Sequence, residues 1–183
     1  LGRMLLQAAA NYPVITNVME NDPDCPAAHL CHQFTQGDIR NFDDVYRFGK
    51  SLDSISIEIE SVNEDALEKL ETEGIKIYPS PRALRIIRNK ILQKQFYKEH
   101  DIPSSPFLIT QNRDDLKKQD RFLPAVHKAG SGGYDGRGVQ IIADIMDMDK
   151  GFDIPSILEK KVEIHKEISQ IVAMGRNGQT VFY

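Results

Sequence analysis

The order of apolar and polar positions over the first 80 residues predicts helices and strands that alternate. One face of the first predicted helix carries the apolar residues Leu1, Met4, Leu5 and Ala8. Residues 54–60 (SISIEIE) instead alternate between isoleucine and a polar residue, which is the pattern of a half-buried strand. Segments that alternate in this way favour an α/β domain built on an open, mostly parallel sheet.

Further segments of the same region have the composition of short strands or helices. The predicted strands are residues 13–19 (PVITNVM), 30–39 (LCHQFTQGDI) and 75–79 (IKIYP). The predicted helices are residues 40–52 and 63–74. Gly74 is expected to end the second helix, because glycine readily takes the left-handed conformation found there.

The longest helical pattern in the chain is SPRALRIIRNKILQKQFYKEHDIP, which starts at Ser80. Ser80 is placed to cap the amino end, and Pro81 suits the first helical position because no amide hydrogen is needed there. The pattern predicts one connecting helix over residues 81–103. The PSSPF run that follows is expected to be an extended linker, which puts a domain boundary near Ser104.

After this linker the pattern changes to short strands that pair as hairpins, which predicts a small α+β unit. The predicted strands are residues 107–110, 123–128, 138–143, 154–162 and 167–174, and a polar helix is expected around residues 112–120. A last hairpin is expected to turn at Asn177 and Gly178, because Asn-Gly suits a tight turn between antiparallel strands.

The stretch at residues 127–140 (HKAGSGGYDGRGVQ) contains five glycines between two strand-like runs. It lacks the G-x-x-x-x-G-K-[ST] spacing of a P-loop and the G-x-G-x-x-G spacing of a dinucleotide fold, and both of those loops lead into a helix. The loop is therefore predicted to close a β-hairpin, as a flap whose backbone N–H groups can approach phosphate oxygens. Taken alone, the loop is equally compatible with a disordered surface hairpin.

Charged and aromatic residues around the loop favour a role in binding. Lys128 lies at the end of the entering strand, where its ammonium can contact a phosphate. Tyr134 and Asp135 occupy the tip, and a loop that only had to be flexible has no need of them. Two carboxylates, those of Glu159 and Glu167, follow further along the chain.

The net charge, the cysteines and the apolar runs of the sequence limit the kinds of protein that it can be. The 183 residues carry a formal net charge of −4, which gives no overall electrostatic basis for nucleic-acid binding. Cys25 and Cys31 have no zinc-ligand spacing, so two reduced thiols are expected. The sequence has no apolar run of membrane-spanning length and no signal peptide, so a cytoplasmic protein is expected.

An opening helix with no strand before it indicates a piece of a longer chain.

Four stretches of the chain carry a family resemblance. They are LGRMLLQAA at the start, the predicted connecting helix, the glycine loop and ILEKKVEIHKEIS at residues 157–169. In this order they resemble the ATP-grasp superfamily, and within it the N5-carboxyaminoimidazole ribonucleotide synthetase family, over nearly the whole chain. The resemblance implies four regions: a Rossmann-like pre-ATP-grasp domain without its first strand (1–80), the connecting helix (81–103), the ATP-grasp small subdomain with its glycine flap (104–165) and the start of the large subdomain (166–183).

The resemblance also implies a role for each matching residue. Lys90 and Lys128 would contact ATP phosphates, and Glu167 would accept hydrogen bonds from the ribose hydroxyls. The flap over the triphosphate would comprise Gly133, Tyr134, Asp135, Gly136, Arg137, Gly138 and Val139. The hinge that holds adenine would comprise Glu159, Lys160, Lys161 and Val162. Glu58 and Arg3 are candidates on the substrate side, the Mg²⁺ ligands are expected beyond the C-terminal end, and no catalytic residue is identified.

The activity that the resemblance implies is ATP-dependent carboxylation of 5-aminoimidazole ribonucleotide in de novo purine biosynthesis. Its expected ligands are ATP, Mg²⁺, bicarbonate and the ribonucleotide, with neither nucleic acid nor membrane as a partner, and a homodimer is compatible with it. Three alternatives stay open at this point. They are another ATP-grasp carboxylase or ligase, a nucleotide-binding module without catalysis, and an α/β scaffold with a flexible hairpin.

Overall fold

The computed structural model describes residues 1–132, 138–175 and 177–183, which form two successive mixed α/β parts. Its α-helices are α1 (Gly2–Ala9), α2 (Phe42–Gly49), α3 (Glu64–Thr72), α4 (Pro81–Arg88), α5 (Lys90–Glu99) and α6 (Arg113–Lys117). Its strands are β1 (Asn17–Glu20), β2 (Gln33–Gln36), β3 (Ser54–Ser56), β4 (Lys76–Tyr78), β5 (Phe107–Thr110), β6 (Ala125–Ala129), β7 (Val139–Ile142), β8 (Ser156–Lys160), β9 (Val172–Met174) and β10 (Thr180–Phe182). Short 3-10 helices cover Asp120–Phe122 and Ile145–Lys150. Within the described ranges, no helix has both the length and the apolar character needed to cross a membrane.

The strands of the amino-terminal part run parallel, as predicted, but they form two separate pairs. β1 lies beside β2, and β3 lies beside β4 with Ile55 opposite Ile77. Within the described residues, no strand ladder joins the two pairs. The core of this part packs those two isoleucines with Leu67 and Leu70 of α3, both of which are fully buried. The helix predicted over residues 63–74 is therefore confirmed as α3, and Gly74 follows its end with φ 96°.

The predicted SISIEIE strand is wrong in its second half. β3 ends at Ser56, and the amide of Ile57 still donates to the carbonyl oxygen of Tyr78 at 2.9 Å. Pro79 follows Tyr78 on the neighbouring strand and has no amide hydrogen, so the hydrogen-bond ladder between the two strands cannot continue. Glu58 therefore lies in a bend after the strand, where sequence reasoning placed it on the strand itself.

The prediction of one continuous connecting helix is also wrong, because the helix breaks at Asn89 into α4 and α5. Asn89 takes extended backbone angles (φ −115°, ψ 108°), and its side-chain oxygen accepts hydrogen bonds from the amides of Ile91 and Leu92 at 2.9 and 3.1 Å. These bonds cap the amino end of α5. The amide of Lys90 donates to the carbonyl oxygen of Gly130 at 2.8 Å. The break thus joins the start of α5 to the base of the glycine loop.

The amino end of α4 is as predicted. The Ser80 hydroxyl accepts a hydrogen bond from the amide of Ala83 at 3.3 Å, and Pro81 occupies the first helical position. At the other end, Arg88 donates to Glu64 Oε1 of α3 at 2.6 Å. α4 is therefore fixed to the amino-terminal part, whereas α5 contacts the part that follows it.

The second part is built on an antiparallel sheet with the strand order β5-β8-β6-β7. The β6–β7 hairpin pairs Lys128 with Val139, so the prediction that the glycine loop closes a hairpin is confirmed. Buried and half-buried residues alternate along β6. Ala125 of the buried face packs with Leu116 and Leu158 in the core, and Lys128 lies on the other face.

The last hairpin, β9–β10, is antiparallel and turns at Asn177 and Gly178, as predicted. Gly178 has φ 80°, a left-handed conformation that glycine adopts without strain. The strand predicted from residue 167 is wrong at its start, since β9 begins only at Val172. Residues 161–171 are exposed and pair with no other strand among the described residues, which explains why they form no regular element.

Candidate functional site

A lysine and a glutamate meet at the base of the glycine loop. Val126 of β6 lies opposite Glu159 of β8, so Lys128, two residues further along, is the diagonal neighbour of Glu159 on the same face. The Lys128 ammonium donates to Glu159 Oε2 at 3.0 Å. The sheet register therefore brings together two residues that the sequence singles out separately.

A second lysine, Lys94 of α5, contacts the other oxygen of the same carboxylate. Its Nζ lies 3.4 Å from Glu159 Oε1 and also donates to the hydroxyl of Ser104. The hydroxyl of Ser105 donates to Glu159 Oε2 at 3.1 Å. The extended linker after α5 is thus part of the site.

Sequence reasoning missed Lys94 and both serines. The available signal was the position of Lys94 three residues after Ile91, which places the two side chains on one face of α5. That signal is weak, because lysines on helices are usually solvated and are almost never fully buried unless paired. Its tertiary contacts with Glu159 and Ser104 distinguish Lys94 from the exposed Lys98 of the same helix.

Burial and charge act in opposite directions on Glu159, whose side chain is 12% exposed. Burial by itself would raise the pKa of its carboxyl group. The hydrogen bond and charge of Lys128, with the charge of Lys94 and the hydrogen bond from Ser105, outweigh burial and hold this pKa below its ordinary value. Glu159 is therefore ionised at neutral pH. Two ammonium groups around one carboxylate leave the cluster of Lys94, Lys128 and Glu159 with one excess positive charge.

The two lysines of this cluster differ in their access to solvent. The side chain of Lys94 is 10% exposed and its Nζ lies 6.0 Å from the centre of the Phe107 ring. The side chain of Lys128 is 28% exposed. A ligand at the mouth of the hairpin can therefore reach the Lys128 ammonium, while Lys94 is enclosed behind the carboxylate.

Lys90, the other lysine expected to contact phosphate, is half-buried at the first position of α5. Among the described residues, no carboxylate lies within ion-pair distance of its ammonium. Its backbone is fixed by the hydrogen bond to Gly130, and the adjoining Ile91 packs closely on that glycine. A Cβ on Gly130 would lie 2.8 Å from both Ile91 Cδ1 and the carbonyl oxygen of Pro155. The close approach of α5 to the loop therefore requires glycine here.

Part of the predicted flap lies outside the described residues, namely Gly133, Tyr134, Asp135, Gly136 and Arg137. The flanks of the loop are described. Gly132 and Gly138 have φ 77° and 82°, and Val139 pairs with Lys128 at the start of β7. The loop thus leaves and re-enters the sheet at the register position of Lys128.

The predicted adenine hinge begins in β8 and continues beyond its end. The amides of Lys160 and Lys161 are already bonded, to the carbonyl oxygens of Pro106 and Pro124 at 2.8 and 3.1 Å. The Lys160 ammonium also donates to backbone carbonyl oxygens, those of Phe122 and Leu123. In the described structure, no hydrogen bond engages the amide of Val162, so it is the hinge amide that can donate to a ligand.

The remaining predicted residues lie away from this cluster. Glu167 is exposed in the segment between β8 and β9, and no described residue bonds to its side chain. Glu58 lies in the bend after β3, and Arg3 is exposed on α1. Glu58 and Arg3 therefore belong to the amino-terminal part, and the described contacts do not connect them to Lys128.

His127 lies on the opposite face of β6 from Lys128 and is fully buried. Its Nδ1 accepts a hydrogen bond from the amide of Phe152 at 3.2 Å, so the ring proton is on Nε2, which lies 3.0 Å from Thr110 Oγ1. Burial lowers the pKa of His127 to about 4. The neutral imidazole therefore anchors β6 directly beneath the site.

The described residues contain no group of three or more His, Cys, Asp or Glu side chains that could hold a metal ion. The carboxylate nearest to the site, Glu159, already has both oxygens engaged by the lysines and Ser105. The described residues of this chain therefore do not fit a Mg²⁺ site.

Two protein families match the chain. Residues 1–88 match the ribonucleotide synthetase preATP-grasp domain, and residues 95–183 match the ATP-grasp domain. A curated relative, the N5-carboxyaminoimidazole ribonucleotide synthase of Staphylococcus epidermidis, is 28% identical over 100% of this chain and 50% of its own.

Solved structures agree with these matches. The Staphylococcus aureus N5-carboxyaminoimidazole synthetase complexed with ADP has a TM-score of 0.91 at 28% identity, covering 100% of this chain and 50% of that one. The Aspergillus clavatus N5-carboxyaminoimidazole synthase in complex with ADP and 5-aminoimidazole ribonucleotide has a TM-score of 0.87 at 27% identity, covering 100% and 49%. The chain thus spans about half the length of these three proteins.

Proposed function

The chain belongs to the ATP-grasp proteins, with a ribonucleotide synthetase preATP-grasp domain followed by an ATP-grasp domain, and we propose that it forms the nucleotide-binding half of an N5-carboxyaminoimidazole ribonucleotide synthase. In the proposed reaction, the γ-phosphoryl group of ATP passes to a bicarbonate oxygen, which forms carboxyphosphate and releases ADP. The exocyclic amine of 5-aminoimidazole ribonucleotide then attacks the carboxyl carbon. Phosphate leaves, the amine loses a proton, and the carboxylated ribonucleotide forms.

The observation that carries this proposal is the position of Lys128, paired with Glu159 at the base of a glycine-rich hairpin and still accessible. Phosphoryl transfer depends mainly on positioning and on neutralising phosphate charge. A cluster with excess positive charge beside a glycine loop suits both requirements. The relatives with ADP in their structures support nucleotide as the ligand.

In this proposal Lys128 and Lys90 contact the phosphates, and residues 133–139 cover them. Carboxyphosphate hydrolyses readily, so a loop that excludes water would protect the intermediate. Backbone groups of residues 159–162 hold the adenine edge, and the amide of Val162 donates to a ring nitrogen because the two amides before it are already bonded. Glu167 accepts hydrogen bonds from the ribose hydroxyls once its segment closes over the nucleotide.

The rest of the layout is also proposed. Residues 1–80 form the pre-ATP-grasp domain, with Glu58 and Arg3 on the side of the ribonucleotide. Residues 104–165 form the small subdomain of the ATP-grasp fold, and residues 166–183 begin the large one. Mg²⁺ would accompany ATP, bicarbonate would be the second substrate, and the enzyme would act in the cytoplasm, with a homodimer compatible with this layout.

A nucleotide-binding module without turnover is the second candidate. It requires only the binding contacts, above all the accessible Lys128 at the base of the hairpin. An ATP-grasp enzyme with another acceptor would use the same phosphate site, and only its response to substrates would differ.

The test is ADP release by the full natural protein that contains these residues, with ATP, Mg²⁺ and bicarbonate. Release that rises strongly when 5-aminoimidazole ribonucleotide is added supports the synthase. ATP binding with no release favours the module without turnover. Release that does not respond to this ribonucleotide contradicts the synthase and directs the search to other acceptors.

A further inference from the structure

We propose that Lys94 is a positioning residue that keeps Glu159 paired while Lys128 leaves the carboxylate for the phosphates of a nucleotide. The inference rests on the proposed function of Lys128 as an ATP ligand. It assigns a role to a buried lysine that lies outside the residues expected to touch ATP. Lys94 would then control nucleotide affinity through Glu159.

The two lysines contact different oxygens of the Glu159 carboxylate. Lys94 approaches Glu159 Oε1 at 3.4 Å, while Lys128 and Ser105 use Oε2 at 3.0 and 3.1 Å. When Lys128 moves away, Oε1 keeps its ammonium and Oε2 keeps its hydroxyl donor. Glu159 therefore stays charged and hydrogen-bonded in both arrangements.

The two lysines also differ in how freely their side chains can move. Lys94 is buried on α5, donates to Ser104 and lies near the Phe107 ring, so it has no open space to turn into. Lys128 is more exposed and is the last residue of β6 in register with β7. Only Lys128 is built to exchange its partner.

Loss of Lys94 would remove one of the two ammonium groups that neutralise Glu159. Lys128 and Glu159 would then form a one-to-one pair with no excess charge. A phosphate that drew Lys128 away would leave a buried carboxylate without any cation, and uncompensated buried charges are strongly unfavourable. ATP would therefore bind more weakly although Lys94 never touches it.

Two other roles of Lys94 predict different behaviour. If Lys94 itself reached the phosphates, removal of Glu159 could not restore binding to a protein that lacks Lys94. If Lys94 served only in packing, its loss would affect stability without a specific dependence on Glu159. A double-mutant cycle between Lys94 and Glu159 separates these roles from the one proposed.

The experiment measures the Kd of ATP in the presence of Mg²⁺ by titration calorimetry, using the full natural protein. The variants are Lys94→Met, Glu159→Gln and the double variant that combines them. Lys98→Met is the matched control, because Lys98 lies on the same helix, is exposed and forms no ion pair with any described residue.

Lys94→Met is expected to raise the Kd of ATP about 10-fold or more, because Glu159 would then be a buried carboxylate without a cation whenever Lys128 contacts the phosphates. The double variant is expected to bind within about 3-fold of Glu159→Gln alone, because the charge that needed Lys94 is absent from both. Lys98→Met is expected to leave the Kd unchanged. An unchanged Kd for Lys94→Met overturns the proposal, and so does a double variant as weak as Lys94→Met.

If Lys94→Met does not fold, the double variant decides, since ATP binding close to that of Glu159→Gln supports the proposal and much weaker binding than that of Glu159→Gln overturns it. ATP binding by the unmodified protein distinguishes a failure of this inference from a failure of the proposed function on which it rests. If it does not bind ATP, the proposed function fails and the inference fails with it. If it binds ATP and the Lys94 variants bind equally well, only the inference is overturned.

Discussion

The amide of Lys90 donates to the carbonyl oxygen of Gly130 at 2.8 Å, so α5 begins where the glycine loop begins. Gly130 follows Lys128 by two residues, and Lys90 is the first residue of α5. The two lysines proposed to contact phosphates therefore extend from backbone segments that are bonded to each other. Their spacing depends on the break at Asn89, which turns the chain out of α4.

Lys128→Met is expected to raise the Michaelis constant for ATP, because it removes the accessible ammonium of the cluster and leaves Glu159 to Lys94 alone. A charge-assisted contact to phosphate of this kind corresponds to about a 10- to 100-fold change. The measurement is steady-state kinetics of ADP release by the full natural protein. Lys76→Met, at an exposed position of β4, is the control. Equal Michaelis constants for ATP in the two variants would show that Lys128 does not contact the phosphates.

Gly130→Ala is expected to destabilise the protein by about 1–3 kcal/mol, because the added methyl group overpacks the contact between the loop base and α5. The new Cβ would lie 2.8 Å from a backbone oxygen, that of Pro155, which cannot move as a flexible side chain can. Urea unfolding measures the loss. Gly2→Ala is the matched control, since its Cβ would lie 3.8 Å from the nearest atom. A Gly130→Ala variant as stable as the control would show that α5 and the loop are not tightly joined.

The hairpin and its lysine were predictable from sequence because their signals are local. Glycines between two strand-like runs predict the loop, and strand alternation places Lys128 opposite to His127. The pairing of Lys94 with Glu159 was not predictable, because it joins residues 65 positions apart and no periodicity carries that information. The break at Asn89 had a local signal, because asparagine is a preferred capping residue at the start of a helix. An asparagine in the interior of a helix destabilises it only slightly, however, so this signal does not exclude one continuous helix.

Asn89→Ala is expected to cost about 1 kcal/mol, the usual value for the loss of an amino-terminal cap. It is also expected to weaken ATP binding, because α5 is no longer held in place at the base of the loop. Asn41→Ala is the matched control: the side-chain oxygen of Asn41 caps α2 by accepting a hydrogen bond from the amide of Asp44 at 3.1 Å, away from the hairpin. Urea unfolding and ATP titration of both variants test this. We expect the two variants to lose similar stability, and only Asn89→Ala to bind ATP more weakly. Equal effects of both variants on ATP affinity would contradict the inference that the break at Asn89 positions α5 at the loop.

The buried His127 makes stability depend on pH in a defined direction. Burial lowers its pKa from 6.5 to about 4, so between these values the unfolded chain binds a proton that the folded protein does not. Stability from the neutral imidazole is therefore complete above pH 6.5 and is lost as the pH falls towards 4, by up to about 3 kcal/mol. Urea unfolding of the unmodified protein and of His127→Gln between pH 7.5 and 4.5 measures this. Glutamine preserves a donor and an acceptor but does not titrate, so the advantage of the unmodified protein should shrink as the pH falls. A difference that stays constant over this range would mean that His127 protonates within the folded protein and that its hydrogen bonds to Thr110 and Phe152 do not hold it neutral.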